Sequence, residues 1–263
     1  MTLARNDCDW IDECTRESRL RIGEEYSHEA DLARLVELAD LKGNETVLDF
    51  VTGLGFVARA FAPHVKKVDS FDPDESLLMR ARDIAELADC TNIAFTIADP
   101  LDIPFKKNSF DIATARLALR HTVDSGKYLD EISRVLKPSG KLLVADCLAP
   151  HSSELVAFLE SVMKLRDRSH ISSMSLSELE SLLEGRGYLI DQVEIYPKLH
   201  DFKTWANRAG AEPDSVRMLE MMLRDATPRA KRHFRIEESE GKIVSFATWM
   251  ILIKAFPESA GDS

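Results

Sequence analysis

The chain has 263 residues, 44% of them hydrophobic and 30% charged, which is enough apolar material for a sizeable core and argues against wholesale disorder. Its net charge of −11 argues against a nucleic-acid binder, which usually presents a basic face, and fits an acidic, solvated surface. No window approaches ~18 uninterrupted apolar residues, no basic segment and apolar stretch open the chain, and Cys8, Cys14, Cys90 and Cys147 never form C-x-x-C. The sequence therefore predicts a cytoplasmic protein without a membrane span, signal peptide, zinc site or disulfide framework.

Residues 1–27 are charged and weakly periodic and read as a helical lead. Ser27 is placed to cap an amphipathic helix running to Leu41, with Ala30, Leu32, Leu35, Val36, Leu38 and Ala39 on its apolar face; Lys42-Gly43-Asn44 ends it. Strands and helices then alternate. Thr46–Phe50, Lys67–Phe71, Ile93–Ile97, Ile112–Ala115 and Lys141–Asp146 read as strands; Phe56–Phe61, Asp74–Ala88 and Ser125–Leu136 read as helices, with Pro138-Ser139-Gly140 a turn. This alternation predicts right-handed crossovers and a mostly parallel sheet with helices on both faces. After Pro150 the rhythm changes. Residues 152–185 are helical around a charged break at Arg166–His170, and His151 is a loop residue. Tyr188–Tyr196 is a strand, 201 to about 237 is helical with Met218, Met221 and Met222, and Ile243–Phe256 is a terminal strand. Residues 28–263 thus form one domain, with helical lid insertions at about 152–175 and 200–240.

Gly53-Leu54-Gly55-Phe56-Val57-Ala58 sits between the first predicted strand and helix, in the pattern that brings backbone close to a nucleotide. Asp72 follows Gly53 by 72 − 53 = 19 residues, where a ribose-binding acid would sit, so these features alone also fit a dinucleotide enzyme. Three others point elsewhere. Asp49 precedes the glycines, where a carboxylate suits an ammonium and would repel a pyrophosphate. Asp99, after the third strand, can accept from an adenine amino group. Asn108–Ala113 leads directly into the fourth strand.

Val47–Gly55, Phe71–Asp72, Ala98–Phe105, Phe110–Asp111, Arg116–Asp124 and Arg134–Gly140 together resemble class I S-adenosylmethionine-dependent methyltransferases of the ubiquinone/menaquinone-biosynthesis-like (methyltransferase type 11) group. The resemblance runs from about Tyr26 to Asp146 and more loosely to the final strand. It implies a Rossmann-like α/β fold: a seven-stranded sheet, mostly parallel with an antiparallel last strand, helices on both faces and a helical lid. It also implies that Asp49 and the loop Thr52, Gly53, Leu54 and Gly55 hold the methionine end of S-adenosyl-L-methionine. Asp72, followed by Pro73, would take the ribose; Asp99 with the backbone of Ala98 and Pro100, the adenine; Arg116 would lie beneath the methionine moiety. Val51 departs from the family, which has a small residue there. A β-branched side chain is poorly tolerated at positive φ, so Val51 is expected to be extended, the alternative being a displaced loop that weakens cofactor binding.

Methyl transfer from a sulfonium needs orientation above all, and a base only when the nucleophile keeps its proton at neutral pH. His121, after the fourth strand, is the candidate base; a histidine capping the next helix is the plainer reading. Arg166, Arg168 and His170 in the lid could meet an anionic substrate group or be a solvated charge run. Trp205, with Phe158, Phe202, Phe234 and the methionines, points to a small apolar or aromatic acceptor, unless these residues are simply the lid's own core. The expected activity is S-adenosylmethionine-dependent methylation of such a molecule, with no nucleic-acid partner and no metal. A protein that binds the cofactor without transferring methyl, and an NAD-dependent oxidoreductase, are the alternatives.

Overall fold

The computed structural model describes residues 20–22, 28–208 and 212–258; most of the lead, with Cys8, Cys14, Tyr26 and the proposed cap Ser27, lies outside them. The central strands are β2 (Thr46–Phe50), β3 (Lys67–Asp72), β4 (Ile93–Ile97), β5 (Phe110–Arg116) and β6 (Leu136–Cys147). They pair in parallel in the order β4-β3-β2-β5-β6, with Val47 opposite Val68 and Ile112. The terminal strand β9 (Lys242–Pro257) lies antiparallel between β6 and β7 (Tyr188–Asp201). These are the seven expected strands.

Two short strands add to them. β1 (Leu20–Ile22) pairs in parallel with β7, so this part of the lead is extended rather than helical; β8 (Glu237–Ser239) folds back on β9 as a hairpin where helix was expected to end. β6 also starts earlier than expected. Phe110 pairs with Leu136 and Ile112 with Lys141, so Lys137–Gly140 is accommodated as an irregularity inside the strand, not as a turn before it.

Helices α1 (His28–Leu38), α2 (Phe56–Phe61), α3 (Glu75–Leu87) and α4 (Ser125–Val135) alternate with the strands. α3 starts where the Asp74 carboxylate accepts from the backbone N–H groups of Ser76 and Leu77, a cap written in the sequence. Beyond β6 come α5 (Ser153–Arg166), α6 (Leu176–Glu184, with a Ser175/Glu178 capping box), α7 (Phe202–Arg208), α8 (Pro213–Arg224) and α9 (Pro228–His233). One face of the sheet is covered by α1, α2, α5, α7 and α8, the other by α4 and α6. No helix among the described residues is long and apolar enough to cross a membrane.

α1 is held to β7 by charge as well as by Leu35 and Leu38. Arg34 donates to Glu194 at 2.8 Å. Asp31, 1% exposed, accepts from Arg116 (2.6 Å), Lys198 (2.5 Å) and the Tyr196 hydroxyl. Glu194, Tyr196 and Lys198 alternate along β7 and so share one face. Burial pushes the Asp31 carboxyl up, but the charges of Arg116 and Lys198 and the bonds from Lys198 and Tyr196 outweigh it and hold the group well below the usual carboxylate range. Removing Asp31 would take the shared carboxylate away from Arg116 and Lys198 in a dry setting. Asp31→Ala is expected to lower stability by about 3–5 kcal/mol in urea unfolding. A depressed carboxylate stabilises above its unfolded pKa, so Asp31's contribution is present above pH ~4 and disappears on further acidification. Asp31→Asn should flatten the acid limb of the stability profile; an unchanged limb would contradict the assignment.

Candidate active site

In a parallel sheet the carboxyl ends of the strands share one edge, and loops there are free to meet a ligand. After β2 the chain turns through Val51 (φ 56°), Gly53 (φ 55°) and Gly55 (φ 70°) into α2. The expectation of extended backbone at Val51 is therefore corrected: a valine occupies the left-handed region. The loop keeps its place nonetheless. Thr52 N–H donates to Phe71 O (2.9 Å), Gly55 N–H to Thr52 O (3.0 Å), and Arg59 of α2 reaches back to Leu54 O (2.7 Å). Leu117, directly after β5, is a second branched apolar residue at positive φ (56°), locked by its N–H on Ala145 O at 2.7 Å. The two neighbouring strands thus end in the same uncommon conformation, of the sort that collects at functional sites.

Asp49 lies under the loop, 2% exposed. It accepts from Thr52 Oγ1 (2.5 Å), Ala58 N–H (3.1 Å) and Thr114 Oγ1 (3.1 Å), so it fastens loop, α2 and β5 together. Burial pushes its carboxyl up to about 6 against the pull of those three donors and of Arg116. Asp72, also buried, accepts from Gly53 N–H (2.8 Å) and Asp74 N–H (3.0 Å), tying the glycine loop to the end of β3, with Pro73 between. Asp99 is exposed beyond β4 and folds on itself by accepting from Leu101 N–H (2.9 Å). Its loop is set by Arg134 of α4, which donates to Phe105 O (2.7 Å) and Ile103 O (2.9 Å). Ala98 and Pro100 flank Asp99, Pro100 being buried. Arg116 ends β5 and is clamped to Asp31, as described above. Asp111, at the opposite end of β5, binds Thr46 and Lys137 far from this edge.

A second polar cluster gathers beyond β5 and β6. His121 closes a short 3-10 turn, Leu119–His121. Arg120 Nε donates to His121 Nε2 at 3.2 Å, and since arginine can only donate, that nitrogen carries the lone pair. The neutral ring's proton is then on Nδ1, which lies 3.0 Å from Ser169 Oγ; Ser169 in turn donates to Asp167 at 2.6 Å. Burial and the Arg120 charge push the His121 pKa down, against Ser169, Asp167 and Asp146.

The lid residues fall into separate places. His170 is buried and pairs with Glu160 of α5 (3.0 Å), its ring 6.5 Å from that of His121. Arg166 lies over the Trp205 ring (4.5 Å to its centre) and donates to Trp205 O (3.0 Å), while Trp205 packs edge-on against Phe246. Arg168 is exposed. Trp205, Phe202 and Phe234 are core, as the plainer reading of the lid had it.

Residues 41–205 match the family described as methyltransferase domain. A Bacillus halodurans protein assigned as a methyltransferase is 34% identical; the match covers 87% of this chain and 99% of that one, with a TM-score of 0.79. The uncharacterized methyltransferase YcgJ of Bacillus subtilis is 29% identical over 230 residues, 87% of this chain and 91% of YcgJ. The ubiquinone/menaquinone biosynthesis C-methyltransferase UbiE of Rickettsia felis is 29% identical over 183 residues, 67% of this chain and 72% of UbiE. The chain belongs to the S-adenosylmethionine-dependent methyltransferase family. That sets the NAD-dependent oxidoreductase aside.

The residues of this methyltransferase fit its cofactor. Nothing lies within 4 Å of where a Cβ on Gly53 would stand, so a ligand can approach that backbone. Three carboxylates stand at the ends of three adjacent strands, acceptors of the kind that a diol, an amino group and a cationic amino-acid end require. Sequence reasoning missed Asp31, Tyr196, Lys198 and Glu160. The alternation Glu194-x-Tyr196-x-Lys198 along one face of a strand was the available signal for two of them.

Holding valine at φ 56° costs of order 1–3 kcal/mol, whereas glycine's extra chain entropy costs ~0.5–1. Val51→Gly is therefore expected to stabilise the methyltransferase by up to ~1 kcal/mol in urea unfolding, with S-adenosylhomocysteine affinity equal or better. A loss of stability would mean that the packing of Val51 outweighs its strain.

Proposed function

We propose that this methyltransferase acts on a small apolar or aromatic acceptor whose proton is removed by His121. The observation that carries the reading is the chain Asp167–Ser169–His121, which leaves Nε2 as the unprotonated nitrogen. A base must present a lone pair and be neutral at working pH. The half-buried imidazole is kept neutral beside an arginine, and its Nε2 lone pair, which accepts from Arg120 Nε, passes to the acceptor when Arg120 turns to the incoming molecule. Ser169 and Asp167 would fix ring and tautomer and spread the charge as the ring takes a proton.

In this proposal Asp49 and the loop Thr52–Gly55 hold the methionine end of the cofactor, with Arg116 beneath it. Asp72 and Pro73 face the ribose, and Ala98, Asp99 and Pro100 the adenine. S-adenosyl-L-methionine, when bound, supplies a methyl group already activated on a sulfonium. The chain's own task is then to orient the acceptor and exclude water, for which orientation alone can be worth roughly 7–11 kcal/mol. Support for an aromatic acceptor comes from the likeness to UbiE, whose name places it in quinone biosynthesis. The segments 152–175 and 200–240 would close over the acceptor, braced by Arg166 on Trp205.

S-adenosylmethionine or S-adenosylhomocysteine at about 100 times its dissociation constant is expected to add roughly 2.7 kcal/mol of stability, read as a thermal shift that NAD(H) does not produce. Turnover with a panel of phenols, quinols and amines then identifies the acceptor. On that acceptor His121→Ala should lower kcat by roughly 10²–10⁴-fold with S-adenosylhomocysteine affinity intact. Because the His121 pKa is lowered, the rate should rise through one ionisation below the ordinary histidine value and stay level through neutrality. Ser169→Ala should shift that ionisation. An unchanged rate in His121→Ala sinks the base assignment.

A further inference from the structure

Arg120 stands beside the proposed base and helps to keep it neutral, but its guanidinium has donors to spare. Its residue is only 8% exposed, and its Nε is spent on His121. Its two Nη groups hydrogen-bond nothing among the described residues, and it makes no ion pair there. The groups that feel its charge come from every element around it: His121 beside it, Asp146 and Cys147 at the end of β6, and Asp167 and His170 beyond α5. Asp146, at the end of the neighbouring strand β6, makes no ion pair with it. One of its oxygens accepts from Cys147 N–H at 2.8 Å, and the other is buried without a partner. Neither Nη of Arg120 is among the buried atoms left without a partner, so both keep access to solvent and a ligand can meet them. The planar fork suits an oxygen anion.

We propose that Arg120 and His121 together form the acceptor subsite and that it takes an acidic hydroxyl, a phenol or enol, as its oxyanion. The inference rests on the methyltransferase reading with His121 as base. The incoming hydroxyl takes the place of Arg120 Nε–H at His121 Nε2. Its O–H bond breaks, the proton goes to Nε2, the electron pair stays on the oxygen, and the released Arg120 guanidinium donates to that oxygen. Asp167, through Ser169, and Asp146 offset the positive charge that appears on the ring. An amine acceptor would find the opposite: its ammonium form is repelled by Arg120, and its neutral form has no charge for the fork to hold. The fork therefore selects for acceptors that become anionic, and the carbon or oxygen nucleophile of such an anion is then ready for alkylation.

The probe is 4-nitrophenol, whose phenolate absorbs visibly, titrated against pH on the full chain saturated with S-adenosylhomocysteine. The bound phenol's apparent pKa is expected to fall by about 1–3 units, the effect of an arginine in contact with an acid. Arg120→Met should abolish the fall and Arg120→Lys should keep part of it, each checked for unchanged S-adenosylhomocysteine affinity by calorimetry. A bound phenol with an unchanged or raised pKa in the natural protein overturns the subsite without reference to any variant. So does an absence of phenol binding at millimolar concentration while S-adenosylhomocysteine binds; in both cases the methyltransferase reading survives. If S-adenosylhomocysteine itself does not bind, that reading fails and the subsite with it.

Discussion

The carboxylate of Asp49 joins four parts of the molecule that must agree before a ligand can bind at this edge. It ends β2, accepts from the glycine loop through Thr52, from the first turn of α2 through Ala58, and from β5 through Thr114. Such a group cannot be moved without releasing all three donors into a dry interior, where an unpaired donor costs of order 1–3 kcal/mol. Burial opposes its charge, and the donors offset part of that cost. The arrangement keeps a negative charge directly beneath the loop that nucleotide-binding sheets use, with Arg116 near enough to feel it.

The strain at Val51 and Leu117 belongs to the same architecture. Adjacent parallel strands run out at the same level, and the chain must leave each abruptly to clear the space above the edge. A left-handed residue makes that exit in one step. Glycine is the usual occupant; here two branched apolar residues are forced into it because backbone bonds to Phe71 O and Ala145 O on the neighbouring strands over-determine the geometry. The sheet supplies the rigidity that the loop residues lack.

On the far side of β5 the charges are arranged differently. Asp31 joins Arg116, Tyr196 and Lys198 in one hydrogen-bonded cluster that seats α1 over the sheet. Arg120, His121, Asp146, Ser169 and His170 do not neutralise one another completely, and open hydrogen-bonding capacity remains at Arg120, Asp146 and His170. The difference separates a structural polar cluster from a chemical one: the first is satisfied within the fold, while the second is left for something outside the chain.

Local pattern in the sequence was enough for the alternating strands and helices, because hydrophobic period and glycine spacing act over a few residues, while the antiparallel last strand came with the family that the motifs resemble. The same local reading placed His121 and the three acids at the correct strand ends. It could not anticipate that Arg166 and Trp205 pack on each other, or that His170 is buried against Glu160, because their partners come from other elements. Nor could it see that Val51 is left-handed, since a residue's own preference argues the opposite and only the neighbouring strand overrules it. Asp31 and Lys198 are 167 positions apart, and the tautomer of His121 depends on a serine 48 residues away. Such contacts exist only once the sheet has brought distant segments to one edge, so the charge state and orientation of the proposed chemical groups were decided by tertiary structure.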